Sequence, residues 1–280
     1  MNFQTLKLHQ DGALLRVTIQ NPPINLMSVT MVQELFQLGG RLHADPGIRV
    51  VLLDSADPDF FIAHFDLEDL ARAEADPSQG SKYPDINVLQ SLTMSWKALP
   101  QVKIARIEGR CRGAGLEFLL GAMDMRFATP QAQLCFPEAS GNFLACGGGS
   151  SFTALAAGPA RAMEVLLGAR DFDGVEAERY SLVNRTLPAT ELDAYLQDLV
   201  GRLLKRSPAV VAAHRAVFAA VYSGMVEPLF AGLAAENVGM RAAQASPEMK
   251  AGIAAHLKAG QTRENELDLP ATLARLAQAG

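Results

Sequence analysis

Glu108-Gly109-Arg110-Cys111-Arg112-Gly113-Ala114-Gly115-Leu116-Glu117-Phe118 is the stretch on which the reading of this chain turns. Just upstream, Val102-Lys103-Ile104-Ala105-Arg106-Ile107 has the composition of a strand, and that strand ends in these small residues. Downstream, Leu116 through Met123 is apolar except for Glu117, so the turn passes directly into a helix. A helix that starts this way leaves its first N–H groups without partners, at the positive end of its dipole. Such a terminus suits an anion. The Gly-Ala-Gly turn matches neither a Walker loop nor a dinucleotide fingerprint, which argues against a nucleotide phosphate. A lone carboxylate on an apolar helix is costly unless paired or protonated. Glu117 therefore either turns out to solvent or a structural ion pair, or is held inside for chemistry.

Two other stretches raise the same question. In Phe60-Phe61-Ile62-Ala63-His64-Phe65-Asp66-Leu67, an extended segment breaks and a helix starts at Asp66, freeing backbone N–H groups near Phe65. Taken alone, that is either an ordinary capped helix start or a set of donors for a developing oxyanion. His64 reads as an exposed loop histidine, with a third polar group at the mouth of a pocket as the alternative. In Gln133-Leu134-Cys135-Phe136-Pro137-Glu138, the carboxylate follows a short extended run, with Gly141 and Gly147-Gly148-Gly149 beyond it. In isolation, Glu138 reads as a helix-terminal charge or a loop salt bridge.

Around these stretches the chain alternates strands and helices. Leu14–Ile19 reads as a strand that stops at Asn21-Pro22-Pro23. Ser28 or Thr30 then caps a helix with Met31, Leu35, Leu38 and Leu42 on one face, ended by Pro46-Gly47. Ile48–Leu53 and Met125–Ala128 are further strands, so the class is α/β with crossover connections. Asp76-Pro77-Ser78-Gln79-Gly80-Ser81 reads as a loop. Beyond Leu187-Pro188 the text is almost all helix, in segments at about 190–206, 208–222, 227–243 and 247–258.

Composition narrows the function classes. The 280 residues are 49% hydrophobic and 20% charged, an ordinary globular balance. A net charge of -5 argues against nucleic-acid binding driven by bulk electrostatics. Cys111, Cys135 and Cys146 are odd in number and irregularly spaced, suggesting neither a disulfide framework nor a metal site. No secretory signal is readable at the start, and no uninterrupted apolar run reaches membrane-spanning length. The expectation by elimination is a cytoplasmic protein with no membrane partner.

Taken together, the motifs resemble the crotonase superfamily of enoyl-CoA hydratases and isomerases. Asn21-Pro22-Pro23-x-Asn25 resembles its first turn, Ala63-His64-Phe65-Asp66 its first oxyanion segment, and Gly113-Ala114-Gly115-Leu116-Glu117 its second. Gln133 to Glu138 resembles its second acid segment, and Pro247-Glu248-x-x-x-Gly252-Ile253 its last helix. The resemblance implies a spiral of ββα units over residues 1–200, with a helical region over 201–280 for oligomerisation and site cover. It further implies an acyl-CoA thioester substrate, with coenzyme A as part of the substrate and no separate cofactor or metal, and assembly as a homotrimer or homohexamer. The oxyanion donors would be the N–H groups of Phe65 and Ala114, with Ala63, Asp66, Gly113 and Gly115 binding substrate around them. Glu117 and Glu138 would be the two catalytic carboxylates, Glu117 as base and Glu138 as acid, adding water to a 2-enoyl-CoA. One alternative is a Δ3,Δ2-enoyl-CoA isomerase, which needs Glu138 alone. CoA-ester hydrolysis stays open, as does a member that binds an acyl-CoA or a protein without turnover. The segment from Glu117 to Asp124 is one residue longer than the family's spacing, which raises the question of whether Glu117 still points inward.

Overall fold

A computed structural model describes residues 3–75 and 85–279, so the loop expected at 76–81 lies outside the described residues. The chain opens with an antiparallel hairpin, β1 (Leu6–Asp11) and β2 (Leu14–Ile19), turned at Gly12 with a φ of 55°. Helix α1 (Val29–Ala44) follows, its first turn capped by the Ser28 side chain, which accepts from the Met31 N–H. It stops at Asp45, the residue before Pro46, where the proline ring disfavours helical backbone.

From there the chain repeats one device. Strand β3 (Val50–Ser55) lies in a large sheet and β4 (Phe60–Ile62) in a small one, followed by α2 (Leu67–Ala75) and α3 (Val88–Lys97). Next come β5 (Val102–Ile107) in the large sheet, β6 (Arg110–Arg112) in the small one, and α4 (Ala114–Ala122). The third round is β7 (Met125–Ala128), β8 (Gln133–Cys135), a 3-10 turn over Glu138–Gly141, and helices α5 (Gly149–Ala157) and α6 (Pro159–Gly168). Strand β9 (Phe172–Asp173), helix α7 (Gly174–Arg179) and strand β10 (Arg185–Thr186) complete the sheets, ordered β1-β2-β3-β5-β7-β10 and β4-β6-β8-β9. Equivalent strands of successive rounds pair in parallel, which makes the body a spiral of ββα units.

Both faces of the large sheet are covered, which is why β3 is apolar without alternation. Val51, Leu53 and Ala105 point into the main core, where α1, α3 and α4 pack. Val50, Leu52 and Ile104 point the other way, onto Leu192, Leu196 and Val200 of α8 (Ala189–Leu204). Helix α8 thus closes the body, as its apolar stripe requires.

Four further helices and a short one follow: α9 (Pro208–Val221), α10 (Val226–Ala245), α11 (Pro247–Ala259), α12 (Arg263–Leu267) and α13 (Leu269–Ala279). Helix α10 reaches back to the body through buried Leu233, Glu236 and Asn237, whereas α9 buries none of its residues. Val217, Phe218 and Val221 of α9 and Tyr222, Val226 and Phe230 beside it stand exposed. Among the described residues no single helix is long and apolar enough to cross a membrane, although α9 and α10 together form a bent apolar pair.

Candidate active site

Strands β4 and β6 are parallel neighbours, paired Phe60 with Arg110 and Ile62 with Cys111, and each runs out towards a helix start. Their ends therefore emerge side by side. After β4, Phe65 forms a bridge with Met27 in which the Met27 N–H donates to the His64 carbonyl and the Asp66 N–H to the Met27 carbonyl. That pattern passes over the Phe65 N–H. After β6, the Gly113 N–H donates to the Cys135 carbonyl and its own carbonyl accepts from the Glu117 N–H, leaving the Ala114 N–H at the open end of α4. Among the described residues neither the Phe65 nor the Ala114 amide has a partner. The family resemblance names the same two amides as oxyanion donors.

Gly113 joins the three motif segments. Its φ of 47° is a conformation that side-chain-bearing residues avoid, and a methyl group there would lie 2.7 Å from Glu138 Oε1 and 3.5 Å from His64 Cβ. The other positions read as substrate-binding have structural tasks. Ala63 is fully buried with Ile24 and Phe60, and Gly115 packs flush on Ile62. The Asp66 carboxylate accepts from the Glu68 N–H and from Gln261 Nε2, and so caps α2.

Both glutamates are buried. The extra residue before Asp124 does not turn Glu117 outward: α4 closes at Ala122, and Asp124 already belongs to the next connection, hydrogen-bonded to Lys103. Glu117 Oε2 accepts from the Gly149 N–H at 2.8 Å, beside the glycine run, where no larger residue fits. Burial pushes the Glu117 carboxyl well above the usual range, with the charges of Glu138 and Glu236 pushing the same way. Burial likewise raises Glu138 to about 7, with its own backbone N–H and the charge of His64 pulling down. Both carboxyls are thus held above the usual carboxylate range, which favours their protonated forms. Glu117 faces two other carboxylates, Glu138 and Glu236, while Glu138 faces His64.

His64 is not the exposed loop residue expected. It is 6% exposed, its Nδ1 lies 2.7 Å from the Phe65 carbonyl, and its Nε2 is 3.1 Å from Glu266 Oε1. Burial lowers its pKa, yet Glu266 outweighs burial and the net shift is upward. His256 Nε2 lies 3.1 Å from the same Glu266 oxygen. Burial opposes ionisation of Glu266, but contacts with His256 and His64 hold its carboxyl at about 2. Beneath it, fully buried Arg112 forms a two-pronged pair with Asp171 and donates from Nη1 to the Glu266 carbonyl.

A cavity of about 440 Å³ opens onto this corner, lined by His64, Phe65, Glu138 and His256 with apolar walls such as Phe143 and Leu273. A second, of about 340 Å³, meets it at Glu138 and Phe143 and runs along Met163 and Leu167. Glu138 Oε2 has no hydrogen-bond partner, although it is buried. Sequence reasoning missed His256, Glu266 and Glu236. Glu236, on α10, accepts from the Gly148 and Ser151 N–H groups at the start of α5 and from Gln90 Nε2. No local motif marks these residues, since each matters only through a contact far along the chain.

The ββα spiral with its C-terminal helices is the fold of the crotonase superfamily. The enoyl-CoA hydratase/isomerase family model matches residues 9–263, and the chain belongs to that family. It is 28% identical over 228 residues to a carnitinyl-CoA dehydratase of Proteus mirabilis, covering 80% of this chain and 84% of that one. The carnitinyl-CoA dehydratase of Escherichia coli K12 is 26% identical over 219 residues, covering 77% and 80%. A crystal structure of a candidate enoyl-CoA hydratase from Streptomyces avermitilis superposes with a TM-score of 0.90 at 33% identity, covering 99% of this chain and 100% of that one.

Proposed function

We propose that the protein interconverts a 2-enoyl-CoA thioester and its 3-hydroxyacyl-CoA by adding or removing water. The observation that carries this reading is the pair of buried, electrostatically linked carboxyls, Glu117 and Glu138, beside the free amides of Phe65 and Ala114. Water attacking C3 sends charge through the double bond onto the thioester oxygen, to which the two amide N–H groups donate. Each such donor is worth about 100- to 1000-fold in rate. One carboxylate removes a proton from water and the other delivers one to C2. Glu138, which lines both cavities, is taken as the base and Glu117 as the acid. Coenzyme A enters only as part of the substrate. The names of the two bacterial relatives describe elimination of water from an acyl-CoA, the same chemistry run backward. The test is loss of the enoyl-thioester ultraviolet chromophore with crotonyl-CoA and longer 2-enoyl-CoA substrates; no loss with any chain length would overturn the proposal.

One observation favours a second reading. Glu138 lines both cavities, whereas Glu117 lines neither and is tied to the Gly149 amide. A Δ3,Δ2-enoyl-CoA isomerase shuttles one proton with one carboxylate, and Glu138 alone would serve it. Supplying a 3-enoyl-CoA and following formation of the conjugated product separates the two.

The Phe65 side chain faces the cavity while its backbone supplies the donor. Phe65→Ala should therefore shift the preferred acyl length while keeping maximal turnover within about tenfold, well short of the loss of an oxyanion donor. Turnover abolished in a folded variant would show that the ring itself matters to the chemistry.

The apolar, unburied face of α9 fits a subunit contact, and a closed homotrimer or homohexamer is the proposed assembly. Sedimentation at micromolar concentration should show three or six chains. A stable monomer would remove the claim, and Phe218→Glu should dissociate the assembly.

A further inference from the structure

We propose that His64, His256 and Glu266 form a binding site for one divalent transition-metal ion, zinc foremost, that ties the C-terminal helices to the loop carrying the Phe65 amide. The donors come from three separate places: the segment after β4, the end of α11, and α12. All three side chains are buried, and one ligand atom from each lies within 4.8 Å of the others. Both imidazole Nε2 atoms stand 3.1 Å from Glu266 Oε1. Two donors on one zinc ion, each about 2.0–2.2 Å from it, are separated by about 3–4 Å, so small movements suffice to seat the ion.

The orientation of His64 is the second, independent observation. Its Nδ1 is placed to donate to the Phe65 carbonyl, the outer contact that metal-bound histidines ordinarily make, and this presents Nε2 as the ligand atom. That Nε2 is buried and faces Glu266 Oε1 at 3.1 Å. Glu266 Oε2 is likewise buried and without a partner. Glu266 thus sets Oε1 between the two imidazoles and keeps Oε2 spare for an ion. Two imidazoles and a carboxylate form a donor set suited to zinc and neighbouring first-row ions.

Charge and access are compatible with this. The nearby Arg112 cation is answered by Asp171, so Glu266 and Glu138 remain to offset the ion. His64 and His256 both line the larger cavity, which provides an entry path and an open coordination position. The sequence offers no sign of it, because histidines with no short-range spacing do not read as a ligand set.

The test uses full-length, untagged protein, stripped with a chelator and titrated with zinc by calorimetry, with cobalt as a spectroscopic stand-in. One equivalent of zinc per chain should bind at micromolar affinity or tighter, and the cobalt form should show visible d–d bands. His256→Ala, checked for folding by circular dichroism, should weaken zinc by about 100-fold or more, at least what an outer-sphere partner contributes. Glu266→Gln should do the same, and His256→Ala serves alone if that variant does not fold. Wild-type protein that fails to bind zinc at micromolar concentration, or that binds it no better than folded His256→Ala, would overturn the site and leave a closed ion pair of two histidines and a glutamate.

Discussion

Glu138→Gln is expected to lower hydration of a 2-enoyl-CoA by about 100-fold or more without unfolding the protein, the usual share of a positioned acid or base. Glu138 faces both cavities with one oxygen unpartnered, so the substitution removes ionisation and little packing. Glu117→Gln should cost a similar factor, and the double variant little more, because groups acting as a unit are far from additive. The pH profile supplies the order of roles. A base raised to about 7 by burial is ionised above that value, so kcat/KM should fall as pH drops through about 7. That limb should vanish in Glu138→Gln. A limb of the opposite sense, with activity lost as pH rises through about 7, would restore Glu138 as the acid. A folded Glu117→Gln protein with wild-type hydration would remove Glu117 from the chemistry. If Glu117→Gln also left 3-enoyl isomerisation intact while Glu138→Gln abolished it, the isomerase reading would stand.

Arg112→Met should destabilise the fold by about 3 kcal/mol or more, the range for breaking a buried ion pair by removing one partner. Arg112 is fully buried, and three of its nitrogens are spent on Asp171 and the Glu266 carbonyl. Methionine fills much of the volume but leaves Asp171 and that carbonyl without donors. Because Asp171 keeps some solvent contact, the loss should fall toward the lower end of the range. Arg112→Lys should recover only part of it, since an ammonium cannot make the two-pronged contact. The check is the urea midpoint at constant slope; a loss under about 1 kcal/mol would mean the pair contributes no more than a surface salt bridge. Replacing Asp171 together with Arg112 should restore stability, because the unpaired carboxylate goes with its partner.

The sequence by itself determined the α/β alternation of the body, and the spiral arrangement came from the family resemblance of its motifs. Strands such as Val50–Ser55 and Val102–Ile107, the helix from Ser28, and the small-residue turn before α4 are written in local pattern: apolar runs, a capping serine, a glycine where φ is positive. The Phe65 and Ala114 amides were legible for the same reason, since a strand running into a helix leaves its first donors free wherever it occurs. Strand β1 was not read, as its alternation is brief and only pairing with β2 fixes it. Beyond residue 260 the region was legible as helical, but its division into α12 and α13 was not. Only the tertiary structure decided the electrostatics of the site. Whether Glu117 or Glu138 keeps the proton depends on Glu236 from α10 and His64 from the loop after β4, charges brought together across most of the chain. His64 looked exposed because nothing near it in sequence pairs with it, and it is buried because Glu266 arrives from the other end. Hydrophobic pattern and turn chemistry act over a few residues and can be read in order. The field at a buried carboxyl is a sum over neighbours in space, and in this fold those neighbours come from both ends of the chain.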